Sequence, residues 1–192
     1  MTIRFNFDAH KAVAAMAYLV SRLEGQKTDK VKLMKLLYLA DRDHFLQEGH
    51  PITGDDQYAM PYGPAPSSSL NVLCGQFAPE QAPIFDYLQT RDYEVSFKKL
   101  PQPLGLADAE RQTLDTTIKK YGAINTWSLS DFTHGLDEYQ QVFRPGHSTR
   151  IPYELLLKIY SSGRLYRHGR PVITPAMAAN MSCPFARSED DL

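Results

Sequence analysis

Between Val31 and Ala40 the chain reads Val-Lys-Leu-Met-Lys-Leu-Leu-Tyr-Leu-Ala. On a 3.6-residue helix these apolar side chains cover most of the circumference rather than one stripe. A helix of that kind has no broad face to give to water, so it must run through the middle of the fold with other elements packed around it. Its limits are also legible. Thr28 or Asp29 supplies an N-cap oxygen, Gly49 suits the left-handed residue that closes a helix, and Pro51 forbids continuation. The expected rod has about 20 residues and a length of about 30 Å.

The flanking segments follow the same rules. Asp8 can cap a first helix on which Val13, Met16, Val20 and Leu23 recur at helical spacing, one face being core, with Gly25 ending it. Pro61, Pro64 and Pro66 remove backbone donors between Tyr58 and Pro66, which predicts an edge strand or loop and excludes an inner strand. Ser67, Ser68 or Ser69 is expected to cap the short helix that follows. Tyr93, Val95 and Phe97 alternate with Glu94, Ser96 and Lys98, the period of a half-buried strand, and the Gln57 to Tyr62 segment is its expected partner.

Further on, Asp108 opens a helix with Glu110 in its first turn, Lys119 and Lys120 in its last and Gly122 beyond it; Leu114, Ile118 and Tyr121 form its buried stripe. Asn125 or Thr126 begins a helix through Trp127, Leu129 and Phe132, and Pro152 leads a last helix that Gly163 ends. No internal repeat is present. The fold class these elements predict is mainly α (α+β), a helical bundle around a central helix with a small antiparallel β-sheet. Beyond Tyr166 the pattern weakens into scattered prolines and an acidic end, which divides the chain into a domain over 1–165 and a C-terminal extension or tail over 166–192.

Several functions are disfavoured at this level. A formal net charge of -1 over 192 residues does not suit a protein that binds by blanketing phosphates. The start of the chain has no apolar h-region, and its most apolar run, Leu36 to Ala40, is far shorter than a membrane span, so a cytoplasmic protein with no membrane partner is expected. Cys74 and Cys183 lie far apart without a Cys-x-x-Cys spacing and are expected to be free thiols, Cys74 buried within a small helix.

Chemistry-bearing pairs are sparse. Asp41 and His44 are three apart, and His44 and Glu48 four apart, so each pair shares a helix face and could hold a metal or an acid/base couple. The third ligand of a catalytic zinc site is not evident, and surface pairing on a solvated helix end is the favoured reading; a small metal-dependent hydrolase using Asp41, His44 and Glu48 is the alternative. Asp131 and His134 repeat the spacing, but no Gly-x-Ser-x-Gly turn accompanies them, and His134 reads as a hydrogen-bonded helix-end residue. Neither phosphate-binding glycine motif occurs, so nucleotide-dependent chemistry is not expected, and with no coherent catalytic set elsewhere no catalytic residue, metal or cofactor is expected. Arg164, Tyr166, Arg167, His168 and Arg170 mix cations with an aromatic ring, yet the cluster is short and nucleic acid is not the expected partner. Trp127 and Tyr38 read as core. Tyr58 and Tyr62, in the proline-rich connection, read as interface candidates, because an aromatic on a stiff backbone loses little entropy when covered.

Lys32-Leu33-Met34-Lys35-Leu36-Leu37-Tyr38-Leu39-Ala40-Asp41-Arg42, then Gly49-His50-Pro51-Ile52-Thr53-Gly54-Asp55, then Ala59-Met60-Pro61-Tyr62-Gly63-Pro64 resemble the core motif of the Panacea domain family, the SocA-like antitoxins. A second block, Leu114 to Tyr121-Gly122 followed by Trp127-Ser128-Leu129-Ser130 and Thr133-His134, resembles the later part of the same family. The likeness covers about Asp8 to Gly163. Two departures, Pro61 before the aromatic and Ala65 in place of the usual valine, bear on the local loop shape. The resemblance implies a non-enzymatic, mainly helical antitoxin that binds a cognate toxin encoded by the adjacent gene, with a place in phage defence. One type of family member is instead an adaptor delivering the toxin to a Clp-type protease. If the two blocks converge, Tyr58, Tyr62, Pro64 and His134 are the expected partner-binding residues.

Overall fold

The computed structural model describes residues 2–79 and 81–160, and the backbone alone of a short hairpin at 166–167 and 170–171. The helix stop at Gly163, the side chains of the Arg164 to Arg170 cluster, Cys183 and the tail lie outside the described residues. Helix α1 (Ala9–Arg22) leads through a tight turn to β1 (Lys27–Asp29) and α2 (Lys30–Glu48). Then come β2 (Gln57–Met60), β3 (Gly63–Pro66), α3 (Ser67–Leu73), α4 (Ile84–Tyr87), β4 (Leu88–Arg91) and β5 (Glu94–Phe97). The second half holds α5 (Asp108–Tyr121), α6 (Thr126–His134), α7 (Asp137–Val142), β6 (Thr149–Ile151) and α8 (Tyr153–Tyr160), with β7 (Tyr166–Arg167) and β8 (Arg170–Pro171) as the hairpin. The class is mainly helical α+β, as the patterning predicts.

Helix α2 is the axis. Every residue from Leu33 to Asp41 is buried, and α1, α3, α5, α6, α8 and β3 all pack on it. Its caps are the expected ones: the Asp29 carboxylate accepts from Lys32 N at 2.8 Å, and Gly49, at φ 88°, returns its N–H to the Phe45 carbonyl at 2.9 Å. Asp8 caps α1 by accepting from Lys11 N at 3.0 Å. Helix α1 is buried without a break from Ala12 to Val20, so it is enclosed all round in its middle instead of showing one core face. Its alanines give it the slim profile that lets α2, α3 and α5 close over it.

The strands depart from expectation. Two three-stranded antiparallel sheets form where one small sheet was expected, in the orders β1-β5-β4 and β3-β2-β6. Val95 on β5 pairs with Thr28 and Thr90, not with the Gln57 to Tyr62 segment. That segment pairs on both sides, Tyr58 standing between Ala65 and Arg150, so β2 is an inner strand. The proline rule still holds residue by residue, because Gln57–Met60 contains no proline and the prolines of this region fall at the turn and on the edge strand β3. No serine side chain caps α3. Asp55 does so from outside the helix, accepting from Ser68 N at 3.0 Å, Ser69 N at 2.6 Å and Ser69 Oγ at 2.8 Å. Cys74 is exposed, contrary to the buried reading, because Val72 and Leu73 take the inward positions of the short helix.

Candidate functional site

Asp41 and His44 turn to different neighbours, and the solvated face assigned to them is absent. Asp41 is fully buried and accepts from Ile52 N and Thr53 N, each at 3.0 Å, from Thr53 Oγ1 and from Gln57 Nε2 at 3.2 Å. It pins the turn after α2 to the end of that helix. Burial pushes its pKa up to about 7, and the bonds from Thr53 and Ile52 oppose that rise. His44, also buried, points away toward α5, where Nδ1 meets Thr113 Oγ1 at 3.1 Å.

A different lysine marks the place where the distant parts of the chain meet. Lys35 is 2% exposed, and its Nζ donates to the Pro64 carbonyl of β3 at 2.8 Å. Between Pro64 and the hairpin tip lies Gly63, at φ 94°, pressed so close to α6 that an added Cβ would stand 2.8 Å from Thr133 Oγ1, 3.1 Å from Lys35 Nζ and 3.2 Å from His134 Cδ2. On either side of it the loop is held by two more bonds: Ser130 Oγ donates to the Tyr62 carbonyl and Tyr139 Oη to the Met60 carbonyl, both at 2.9 Å. The His134 ring packs on Tyr139 at a tilt of 33°, with ring centroids 5.0 Å apart. Burial, then the nearby Lys35 charge, lowers the His134 pKa, and its Nε2 is enclosed without a hydrogen-bond partner.

The geometry therefore brings together Pro64, His134 and the backbone of Tyr62. Tyr58 stands farther along β2, half-buried. Of these residues Tyr62 alone offers most of its side chain to water, at 64% exposure, while Pro64 is buried and His134 half-buried. Trp127, expected in the core, is 66% exposed. Leu129, Ser130 and Thr133 turn inward on α6, and Trp127 shares a helix face with Ser130 and His134, one turn away from the loop they grip. Phe132, 43% exposed, leans on Tyr121 at 5.3 Å. Pro61 is exposed at the hairpin turn and Ala65 buried in β3, so the two departures from the family pattern fall at a turn and at a tightly packed strand position.

Lys35, Thr133 and His134 are the types of groups that carry proton transfer, but all face inward onto the Gly63 backbone. Two surface clefts, of about 640 and 410 Å3, are lined by other residues. What the cluster does is hold the β2–β3 tip rigidly with Tyr62 outward. Lys35 is the residue that sequence reasoning passed over. Its signal was present, since a lysine between Met34 and Leu36 on a helix apolar nearly all round has no solvated face to reach.

A family model described as antitoxin SocA-like, Panacea domain, matches residues 33–139. The chain belongs to the SocA-like antitoxin family. The matched span opens inside α2 and closes at Tyr139, so it contains Lys35, the Gly63–Pro64 pair and Thr133–His134, and it is narrower than the Asp8 to Gly163 likeness read from motifs. No curated protein and no solved structure matches the chain. Among its described residues this Panacea domain has no helix long and apolar enough to cross a membrane. Membership in an antitoxin family implies a cognate toxin as partner.

Burial lowers the Lys35 pKa to about 7, whereas an unfolded lysine keeps its proton to about 10.4. Between these values the unfolded chain binds more protons than the folded one, so Lys35 makes the Panacea domain more stable as pH rises through that window. Below about 7 the lysine is charged in both states and its enclosure opposes folding. The unfolding free energy from urea titrations is expected to climb from pH 7 to about 9.5 by on the order of 3 kcal/mol, and Lys35→Met to remove that slope. Equal slopes in the two proteins would show that Lys35 is not the origin. Above about 10, Tyr38 and Tyr153, whose hydroxyls burial pushes up, act in the opposite direction.

Proposed function

We propose that this protein is the antitoxin of a toxin–antitoxin pair and neutralises its cognate toxin by direct protein–protein binding, with the surface around Tyr62 and Trp127 as the part the toxin covers. The observation that carries the reading is the exposed Tyr62 at the tip of a hairpin whose backbone is gripped by Lys35, Ser130 and Tyr139. An aromatic side chain already fixed at its base loses little conformational freedom when covered, and residues of this type dominate the energetics of protein interfaces. Pro64 and His134 act in this reading as supports that position the tip. The protein works by binding and performs no catalysis.

The test is co-expression with the product of the adjacent gene. The neighbour is expected to arrest growth alone and to be harmless with this protein present. Tyr62→Ala and Trp127→Ala are each expected to weaken binding by at least about 2 kcal/mol, roughly thirtyfold, with stability changed by no more than about 0.5 kcal/mol. Calorimetry on the purified pair reads the first and thermal melting the second. Neutralisation by a double variant as strong as by the natural protein removes this surface from consideration. A toxin whose level falls only in cells holding a Clp-type protease identifies the adaptor mechanism in place of direct blocking.

A further inference from the structure

At the far end of α2 from the Gly63 cluster, His44, His50 and Glu110 come together, each offering one ligand atom and all three atoms lying within 4.8 Å of one another. The hydrogen bonds around His44 settle its tautomer. Thr113 Oγ1 donates its single proton to the Ala109 carbonyl at 3.0 Å, so toward His44, at 3.1 Å, it can only accept. Nδ1 of His44 is therefore the protonated nitrogen, and Nε2 carries a lone pair. That Nε2 is buried, on a side chain 1% exposed, and has no hydrogen-bond partner. A bare lone pair held inside the protein by an oriented ring is the usual form of a metal-ligating histidine, whose other nitrogen is fixed by a second group.

His50 stands edge-to-face against this ring with centroids 5.0 Å apart, and its Nδ1 faces the Pro51 carbonyl at 3.3 Å. Glu110 is 1% exposed. Its Oε2 accepts from Ala107 N at 2.7 Å and its Oε1 from Lys11 Nζ at 2.5 Å, which leaves one lone pair on each oxygen.

We propose that His44 Nε2, His50 and Glu110 form a binding site for one divalent cation of the zinc class, joining the C-terminal end of α2 to the first turn of α5. Two imidazoles and one carboxylate are a donor set for a borderline ion, and a fourth position remains for water. Ligand atoms of a tetrahedral zinc lie about 3.3 Å apart, so the site closes by a small swing of the exposed His50, whose ring nitrogen gives up the Pro51 carbonyl or keeps it and ligates through the other. Lys11 is the cation already paired with the carboxylate. Its side chain is 34% exposed and can leave for solvent as the metal enters. The set differs from the Asp41, His44 and Glu48 combination that helical spacing alone suggests, and it does not depend on the toxin-binding reading.

The experiment uses tag-free, metal-depleted full-length protein, zinc chloride, and competition against a chromophoric chelator, with thermal melting alongside. The wild-type protein is expected to bind one zinc and to melt higher with it. His50→Ala and Glu110→Gln, which respectively sit on the surface and keep the helix cap, are expected to lose at least tenfold in affinity. Lys11→Ala is expected to bind more tightly, and His10→Ala, at an exposed histidine outside the set, to bind as the wild type does. No zinc on the wild-type protein, or affinity unchanged in His50→Ala, overturns the proposal.

Discussion

Glu138→Ala is expected to destabilise the protein by about 3–5 kcal/mol, on the order of 10 °C in Tm. Glu138 is fully buried on α7. Its Oε1 accepts from Tyr38 Oη at 2.9 Å and Arg42 Nε at 2.6 Å, and its Oε2 from Tyr160 Oη at 2.6 Å. One carboxylate thus joins α2, α7 and α8. Arg42 lies over the Tyr160 ring at 4.5 Å and bonds Asp43 at 2.8 Å, with its side chain 11% exposed. Removing the carboxylate leaves a nearly enclosed guanidinium with half its compensation and a buried tyrosine hydroxyl without a partner. Chemical denaturation reads the loss. The electrostatic origin has its own signature: Arg42→Met with Glu138→Gln removes both charges and keeps an acceptor for the tyrosines, and is expected to cost less than Glu138→Ala alone. A single-variant loss below about 1 kcal/mol would falsify the claim that this pair fastens the helices.

The same cluster shows what could be read from the chain and what could not. Tyr38 and Arg42, four apart on a helix otherwise apolar nearly all round, point to a polar contact inside the core, but nothing near Glu138 distinguishes it from the solvated Asp137 beside it. Local signals survived well. The caps at Asp8, Asp29 and Asn125 and the stop at Gly49 depend on a few adjacent residues, and each appears where the chain announces it. Strand pairing did not survive. β1, β4 and β6 have three or four residues each, too few for a two-residue period to stand out, and their partners are set by packing across the chain. Polar residues near the end of α2 were assigned to water on type alone. Asp41 and His44 are enclosed because the turn at Ile52–Thr53 and helix α5 close over them, a fact that lies in segments well removed along the sequence. The convergence of Gly63–Pro64 with Thr133–His134 was suggested by family resemblance. Lys35, which ties them, came from the structure.

Gly63→Ala is expected to cost about 2–4 kcal/mol and to loosen the tip that carries Tyr62. Two separable effects act. The residue sits at φ 94°, a conformation that side chains rarely adopt, and this part is independent of the neighbours. The other part is contact. The new methyl would lie 2.8 Å from Thr133 Oγ1, a hydroxyl itself fixed by donating to the Ser130 carbonyl at 2.9 Å, and 3.1 Å from a lysine nitrogen held by Pro64. Neither neighbour can withdraw without giving up its bond. Thr133→Ala removes the nearest atom, so combining it with Gly63→Ala is expected to recover about 1 kcal/mol relative to the sum of the single variants. Strict additivity would instead assign the whole loss to the backbone. Because α6 must move away to admit the methyl, Ser130 and His134 lose register with the hairpin. Gly63→Ala is therefore expected to weaken toxin binding even at temperatures where the protein remains folded, whereas a purely thermodynamic defect would leave binding by the folded fraction unchanged.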